Sequence, residues 1–160
     1  MIARPSGTVL TYGTFDLFHI GHLNLIQRLA ALGDRLIIGV STDGFNTGKG
    51  KTSVVSYEDR ARIVSNIKGV DLVIPETSWE QKATDIAEHG VDVFAIGDDW
   101  HGKFDELESL CRVEYLPRTD GISSTEIKQM LQVLDPQHLS EMQDALSTMS
   151  RLLEHYRDLT

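Results

Sequence analysis

The stretch Thr8-Val-Leu-Thr-Tyr-Gly-Thr-Phe-Asp-Leu-Phe-His-Ile-Gly-His22 holds a β-branched and aromatic run, a glycine, a tight turn and a helix start. Thr8 to Tyr12 reads as a strand ending at Gly13. From Ile20 to Leu32, Leu25, Ile26, Leu29, Ala30 and Leu32 recur at helical spacing, and Gly33 is a natural stop. Arg35 to Val40 is a second strand, apolar through its middle, as a strand covered on both faces must be. Thr42 to Val54, with small residues and glycines around two lysines, reads as a loop. Ser56-Tyr-Glu-Asp59 has capping-box spacing and opens a helix to about Ile67. Leu72 to Pro75 is a third strand, and Glu80 to His89, closed by Gly90, a helix. Val91 to Gly97 and Val113 to Leu116 are the fourth and fifth strands, and Ser123 starts a helix to about Leu134.

Strands alternating with helices of this length predict an α/β fold with a parallel five-stranded sheet. Right-handed crossovers make it doubly wound, and ligands then bind beyond the carboxyl ends of the strands. The residues at those ends are Gly13-Thr-Phe-Asp16, Ser41-Thr-Asp43, Gly97-Asp-Asp99 and Arg118-Thr119. All four groups are polar and chemically capable.

The length of 160 residues fits one main domain, and 41% hydrophobic with 24% charged residues argues against disorder. The single cysteine, Cys111, has no internal disulfide partner and fits a reducing compartment. Apolar runs of about five residues fall far short of the ~18 a membrane span requires. Met1-Ile-Ala-Arg-Pro5 lacks the apolar core of a signal peptide, so a cytoplasmic protein is expected. A net charge of −9 disfavours nucleic acid or an anionic membrane as partner, but permits a small anionic ligand held by a few local cations. After Asp135-Pro136, Leu139, Met142, Leu146, Met149, Leu153 and Tyr156 follow a 3-4 heptad spacing. Residues 132–160 therefore read as a C-terminal helical extension to a domain of residues 1–131. Its narrow apolar stripe fits either a second chain or the extension's own domain.

Three segments carry candidate chemistry. His19 and His22, three apart at a helix start, share one face. Unpaired backbone N–H groups and the helix dipole there favour an anion, to which two imidazoles can add donors. Gly21 between them leaves room for a ligand. The plainer alternatives are that both histidines only cap the helix, or that they bind zinc with Asp16 as a third ligand. Lys49 and Lys51 in Gly48-Lys-Gly-Lys-Thr52 can reach over a phosphate, although the segment is no P-loop. In Pro117-Arg-Thr-Asp-Gly-Ile-Ser-Ser-Thr-Glu126, Arg118, Thr119 and Gly121 precede a hydroxyl-rich helix start that suits a polyphosphate. Ser123 with Glu126 is equally explained as a capping box.

The order and spacing of Thr11-Tyr-Gly-Thr-Phe-Asp-Leu-Phe-His-Ile-Gly-His22, Lys49-Gly-Lys51, Trp79-Glu-Gln-Lys82 and Arg118-Thr-Asp-Gly-Ile-Ser-Ser-Thr125 resemble the glycerol-3-phosphate cytidylyltransferases. These are members of the nucleotidylyltransferase superfamily of small Rossmann-like domains. The likeness runs from about Thr8 to Leu131. Ser41-Thr-Asp-Gly-Phe-Asn46, Gly97-Asp-Asp-Trp-His-Gly-Lys-Phe-Asp105 and Tyr115-Leu-Pro-Arg-Thr-Asp-Gly-Ile-Ser123 narrow it to the cytidylyltransferase branch.

The resemblance implies transfer of CMP from CTP to a polyol phosphate, dependence on Mg²⁺, a homodimer, and a product destined for teichoic acid or a capsule-like polymer. It implies that Thr14, Phe15, His19, His22 and Lys51 bind CTP, with the histidines steadying the transition state. Lys49 and Lys82 are implied to contact the acceptor. Arg118, Thr119, Asp120, Gly121, Ile122, Ser123, Ser124 and Thr125 match the CTP-binding signature. Asp99 also falls on a family position on the CTP side, and Asp16, Asp43, Arg60, Lys68 and Trp79 are assigned to the acceptor side. No side-chain metal ligands are implied. Ser124 replaces a usual threonine, Asp120 a common glutamate and Lys68 an arginine, which weakens two-pronged phosphate binding at position 68. Readings kept beside this one are another polyol phosphate as acceptor, an adenylyltransferase, an inactive nucleotide-binding module and a metal hydrolase.

Overall fold

The computed structural model describes residues 5–133 and 136–157, the side chains of 133, 153 and 157 excepted. The readings placed on Met1 to Arg4, Leu134, Asp135 and Leu153 lie outside the described residues. Contacts group the chain into two compact units, Met1–Ile122 and Ser123–Thr160. That division falls earlier than the expected boundary at 131, because the helix beginning at Ser124 groups with the extension.

The first unit holds five strands: β1 (Thr8–Gly13), β2 (Arg35–Ser41), β3 (Leu72–Glu76), β4 (Val91–Gly97) and β5 (Arg112–Leu116). They pair in the order β3-β2-β1-β4-β5, every pair parallel. Its helices are α1 (Ile20–Ala30), α2 (Asp43–Gly48), α3 (Tyr57–Ser65) and α4 (Gln81–His89). The expected doubly wound parallel sheet of five strands is the one observed.

Strand alternation assigns the two faces. Val9, Leu36, Ile38, Val40, Val93 and Ala95 pack with Ile26, Leu29 and Ala30 of α1 and Val64 of α3. Leu10, Tyr12, Ile37, Phe94 and Ile96 point to the other face and meet Ile86 of α4, Phe104 and Leu107. Gly39, in the middle of β2, is required there: a Cβ on it would lie 2.1 Å from the Tyr12 ring. The ring occupies that space, and its hydroxyl donates to Asp85 of α4 at 2.5 Å.

One element departs from expectation. Within Thr42 to Val54, read as a loop, the structure forms α2. The Thr42 hydroxyl caps it by accepting from Phe45 N–H, and Asn46 is buried on its inner side. Asn46 accepts from the Thr14 hydroxyl and donates to Ser53, so tertiary bonds hold six residues that propensity leaves unstructured. Two short 3₁₀ turns, Asp98–Trp100 and Asp105–Ser109, were likewise too brief for periodicity to reveal.

The second unit contains α5 (Ser124–Val133) and α6 (Pro136–Arg157). Ser123 accepts from Glu126 N–H at 3.1 Å and donates to its carboxylate at 3.0 Å, as the capping spacing predicts. Leu139, Met142, Leu146, Met149 and Tyr156 all lie exposed along α6. No helix among the described residues is long and apolar enough to cross a membrane.

Candidate active site

The turn from β1 into α1 is built against backbone preference. Phe15 and Leu17 have φ of 53° and 49°, the left-handed region that bulky residues avoid. Phe15 is held there because its ring is buried in the core, 5.4 Å from the His22 ring, and fills the space left by Gly13. Its side chain is thus a floor beneath the site, leaving only its backbone for a nucleotide.

His19 and His22 form a capping box of their own. His19 Nδ1 accepts from Gly21 N–H at 3.1 Å, and His22 Nδ1 accepts from His19 N–H at 3.3 Å. The rings stack with centroids 3.9 Å apart. A Cβ on Gly21 would meet the His19 ring at 2.8 Å, so the glycine makes room for that imidazole rather than for a ligand as expected. With each Nδ1 accepting, each neutral ring carries its hydrogen on Nε2 and offers it as a donor. Capping, which the sequence posed as a rival to anion recognition, occupies the Nδ1 edge of each ring and so does not exclude a role for the Nε2 edge.

Burial lowers the pKa of both histidines, that of His22 to about 4; Arg118 adds to the effect at His19, and His19 itself adds to it at His22. Protonating His22 Nδ1 would also set its N–H against the N–H of His19. The sign of the linkage follows. An unfolded histidine takes its proton near 6.5, so the stability contributed by neutral His22 is present above that pH and is lost as pH falls toward 4. The loss is on the order of 3 kcal/mol for a shift of this size. Urea midpoints at pH 7, 5.5 and 4.5 should therefore fall more steeply for the wild type than for His22→Asn. Parallel pH dependence in the two proteins would contradict this.

At the carboxyl ends of β1, β2, β3 and β4, a cavity of about 100 Å³ is lined by Thr14, Ser41, Lys49, Lys51, Glu76 and Lys82, among others. It shares Trp79, Lys82, Trp100 and Phe104 with a wider cavity of about 390 Å³. Lys82 is 3% exposed and pairs with buried Glu76 at 2.7 Å, its ammonium lying 4.4 Å from the Tyr12 ring centre and 4.8 Å from that of Trp79. Lys49 donates to the Ser41 hydroxyl at 3.2 Å and lies 3.8 Å from Glu76. Burial lowers its pKa, which Glu76 opposes. Lys51 is exposed at the rim, 5.9 Å from the Trp100 ring centre. Trp79 joins Phe45 and Trp100 in a wall of rings.

Arg118 lies 3.6 Å from Asp99 and close enough to His19 to depress its pKa. Thr119 accepts from Asn24, and Arg28 donates to the carbonyl of Pro117, so α1 anchors the segment that carries Arg118. Asp120 and Gly121 are exposed, Gly121 with φ of 76°, and the Ile122 side chain reaches toward Gly21. Ser123, Ser124 and Thr125 belong to the second unit, at the start of α5.

Four residues assigned to the acceptor have other positions. Asp16 is buried and accepts from the N–H groups of Leu17, Val54 and Val55, tying the lysine segment to the histidine turn. Arg60 is 1% exposed and donates to Val55, Thr14 and Asp43, so its guanidinium is consumed in the scaffold. Asp43 also accepts from Tyr57 N–H; that bond and Arg60 hold its carboxyl below the usual range. Lys68 is exposed just before β3, beside the Asp71–Leu36 pair that marks the amino-terminal edge of the sheet. The pocket is at the other edge. Glu76 and Asn24 escaped sequence reading, and Ser41 and Asn46 were read without these roles, because the contacts that define them come from several elements at once.

The donor set does not fit a metal held by the protein alone. Among the described residues no three histidine, cysteine, aspartate or glutamate side chains are grouped to hold an ion, and Asp16, offered as a zinc ligand, faces backbone amides.

Residues 10–130 match the cytidylyltransferase-like family. The chain belongs to that family. It is 60% identical to the glycerol-3-phosphate cytidylyltransferase of Bacillus spizizenii and 56% identical to that of Bacillus subtilis. Each alignment runs over 121 residues, 76% of this chain and 94% of the relative. A solved lipopolysaccharide core biosynthesis protein from Thermoplasma volcanium shares the fold, with a TM-score of 0.60 at 22% identity, covering 71% of this chain and 98% of that one.

Proposed function

We propose that this protein is a nucleotidyltransferase that moves CMP from CTP to glycerol 3-phosphate, giving CDP-glycerol and pyrophosphate. The observation that carries the reading is the 60% identity to a glycerol-3-phosphate cytidylyltransferase over the domain that holds both cation groups. A non-bridging oxygen of the acceptor phosphate attacks the α-phosphorus of CTP. A new P–O bond forms as the α–β bridge breaks, and pyrophosphate leaves with the electron pair. The acceptor phosphate is largely dianionic at neutral pH, so no strong general base is needed. Bringing two polyanions together is the obstacle, and catalysis is positioning with charge neutralisation.

In this reading Lys49 and Lys82 hold the acceptor phosphate, Trp79 walls its alcohol end, and His19 and His22 donate Nε2–H to phosphate oxygens of CTP. Lys51 and Arg118 neutralise the remaining triphosphate charge, while Thr14, Asp99 and Thr119 to Ile122 frame the nucleotide. Mg²⁺ favours phosphate oxygen and water, so when bound it would be held mainly by the phosphates of CTP and would supply charge neutralisation there. The enzyme acts in the cytoplasm as a homodimer, and its product feeds a glycerol-phosphate polymer of the teichoic acid kind.

Incubation with CTP or ATP and a panel of polyol phosphates, with products identified by mass, tests the reading. CDP-glycerol from CTP and glycerol 3-phosphate is the expected product. An ADP-alcohol, or a different CDP-polyol as the main product, would overturn the assignment.

A further inference from the structure

The carboxylate of Glu76 is an unexpected occupant for a pocket meant to take a phosphate. It is 3% exposed at the carboxyl end of β3, and each oxygen is committed: Oε1 accepts from Lys82, Oε2 from the Ser41 hydroxyl. Lys49 approaches the same Oε2 and bonds the same hydroxyl. Two ammonium groups from different elements, one after α2 and one on α4, are therefore brought to a single anchor on β3. Two like charges so close, one of them buried, would otherwise separate or shed a proton.

The geometry points to Glu76 as the positioning residue of the acceptor site: it holds the side chains of Lys49 and Lys82 aimed at one point, with Ser41 relaying its hold on Lys49. One carboxylate against Lys49 and Lys82 leaves one net positive charge among the three, and Lys51 on the pocket lining adds another, enough to draw in a phosphate. This inference rests on the reading of the two lysines as acceptor ligands. Groups facing Lys49 are Glu76 on β3, Lys82 on α4, neighbouring Lys51 and Arg60 on α3; Tyr12 and Asp85 stand behind Lys82. Of the charges acting on Lys49, Glu76 is the one that raises its pKa against burial.

The test is steady-state kinetics of the full chain, wild type, Glu76→Gln and Glu76→Asp, varying each substrate between pH 6 and 10. Misplaced lysines in Glu76→Gln should raise the KM for glycerol 3-phosphate by about 100-fold while the KM for CTP stays within a factor of about 3. The alkaline limb of kcat/KM for the acceptor should move to lower pH, since Lys49 loses the charge that keeps it protonated. Glu76→Asp keeps the charge on a shorter arm, so its limb stays with the wild type while its acceptor KM rises. If Glu76→Gln does not fold, that behaviour of Glu76→Asp carries the test. An unchanged acceptor KM, or equal losses for both substrates with no movement of the limb, overturns the inference and leaves the activity standing. A wild-type protein without turnover removes the functional reading, and this inference falls with it.

Discussion

Replacing either His19 or His22 with alanine should lower kcat by about 10²- to 10³-fold, the cost of one well-placed donor to developing charge. Both rings are fixed by backbone N–H groups on their Nδ1 edges and by each other's faces. Their Nε2–H donors are therefore aimed before substrate arrives, which is what makes such a donor effective in the transition state. The same substitutions remove a helix cap, which costs about 1 kcal/mol of stability. Thermal melts should show that modest loss, far too small to account for the fall in turnover. Because both histidines are held neutral, kcat should show no histidine limb between pH 6.5 and 8. Turnover near that of the wild type in either variant would take that histidine out of the mechanism.

The second large effect is expected at Lys82. Lys82→Met should reduce kcat/KM for the acceptor by about 10²- to 10³-fold by removing a positioned cation. It should also destabilise the fold by about 3 to 5 kcal/mol, because Glu76 is left as a buried charge without its closest charged partner. The two consequences separate in the double variant Lys82→Met with Glu76→Gln. Stability should return in large part, since no lone charge remains, while activity stays low. A double-mutant cycle in urea unfolding measures the coupling. Additive effects of the two substitutions would show that the ion pair does not operate as described.

The sheet and its helices were legible because their signals are periodic and local. Val9, Leu36 and Ile38 alternate with Leu10 and Ile37 as strands require, and α1 repeats its apolar residues every three or four positions. The histidine turn was legible as two imidazoles sharing one face of a helix start, but the same spacing serves capping, zinc or an anion, so the sequence left those uses open. The α2 helix was not legible, since Asn46 stabilises it through bonds to Thr14, 32 residues away, and Ser53. Arg60 and Asp16 were assigned to the acceptor side because they fall on positions of the family pattern, and such a match carries no contacts. Only the fold shows them spent on Val55, Thr14 and the backbone of the lysine segment. Glu76 was missed for the converse reason: its role comes from Lys82, Lys49 and Ser41 meeting across three elements, and a lone glutamate at a strand end announces none of this.

The central claim is that two lysines anchored on Glu76 take the acceptor phosphate while two neutral histidines face the nucleotide phosphates. A crystal structure with bound CDP-glycerol tests it most directly. One phosphate of the product should lie between the ammonium groups of Lys49 and Lys82, and the other within hydrogen-bond distance of Nε2 of His19 or His22. A product bound with both phosphates away from the lysines, or with the histidine rings turned from it, would contradict the account.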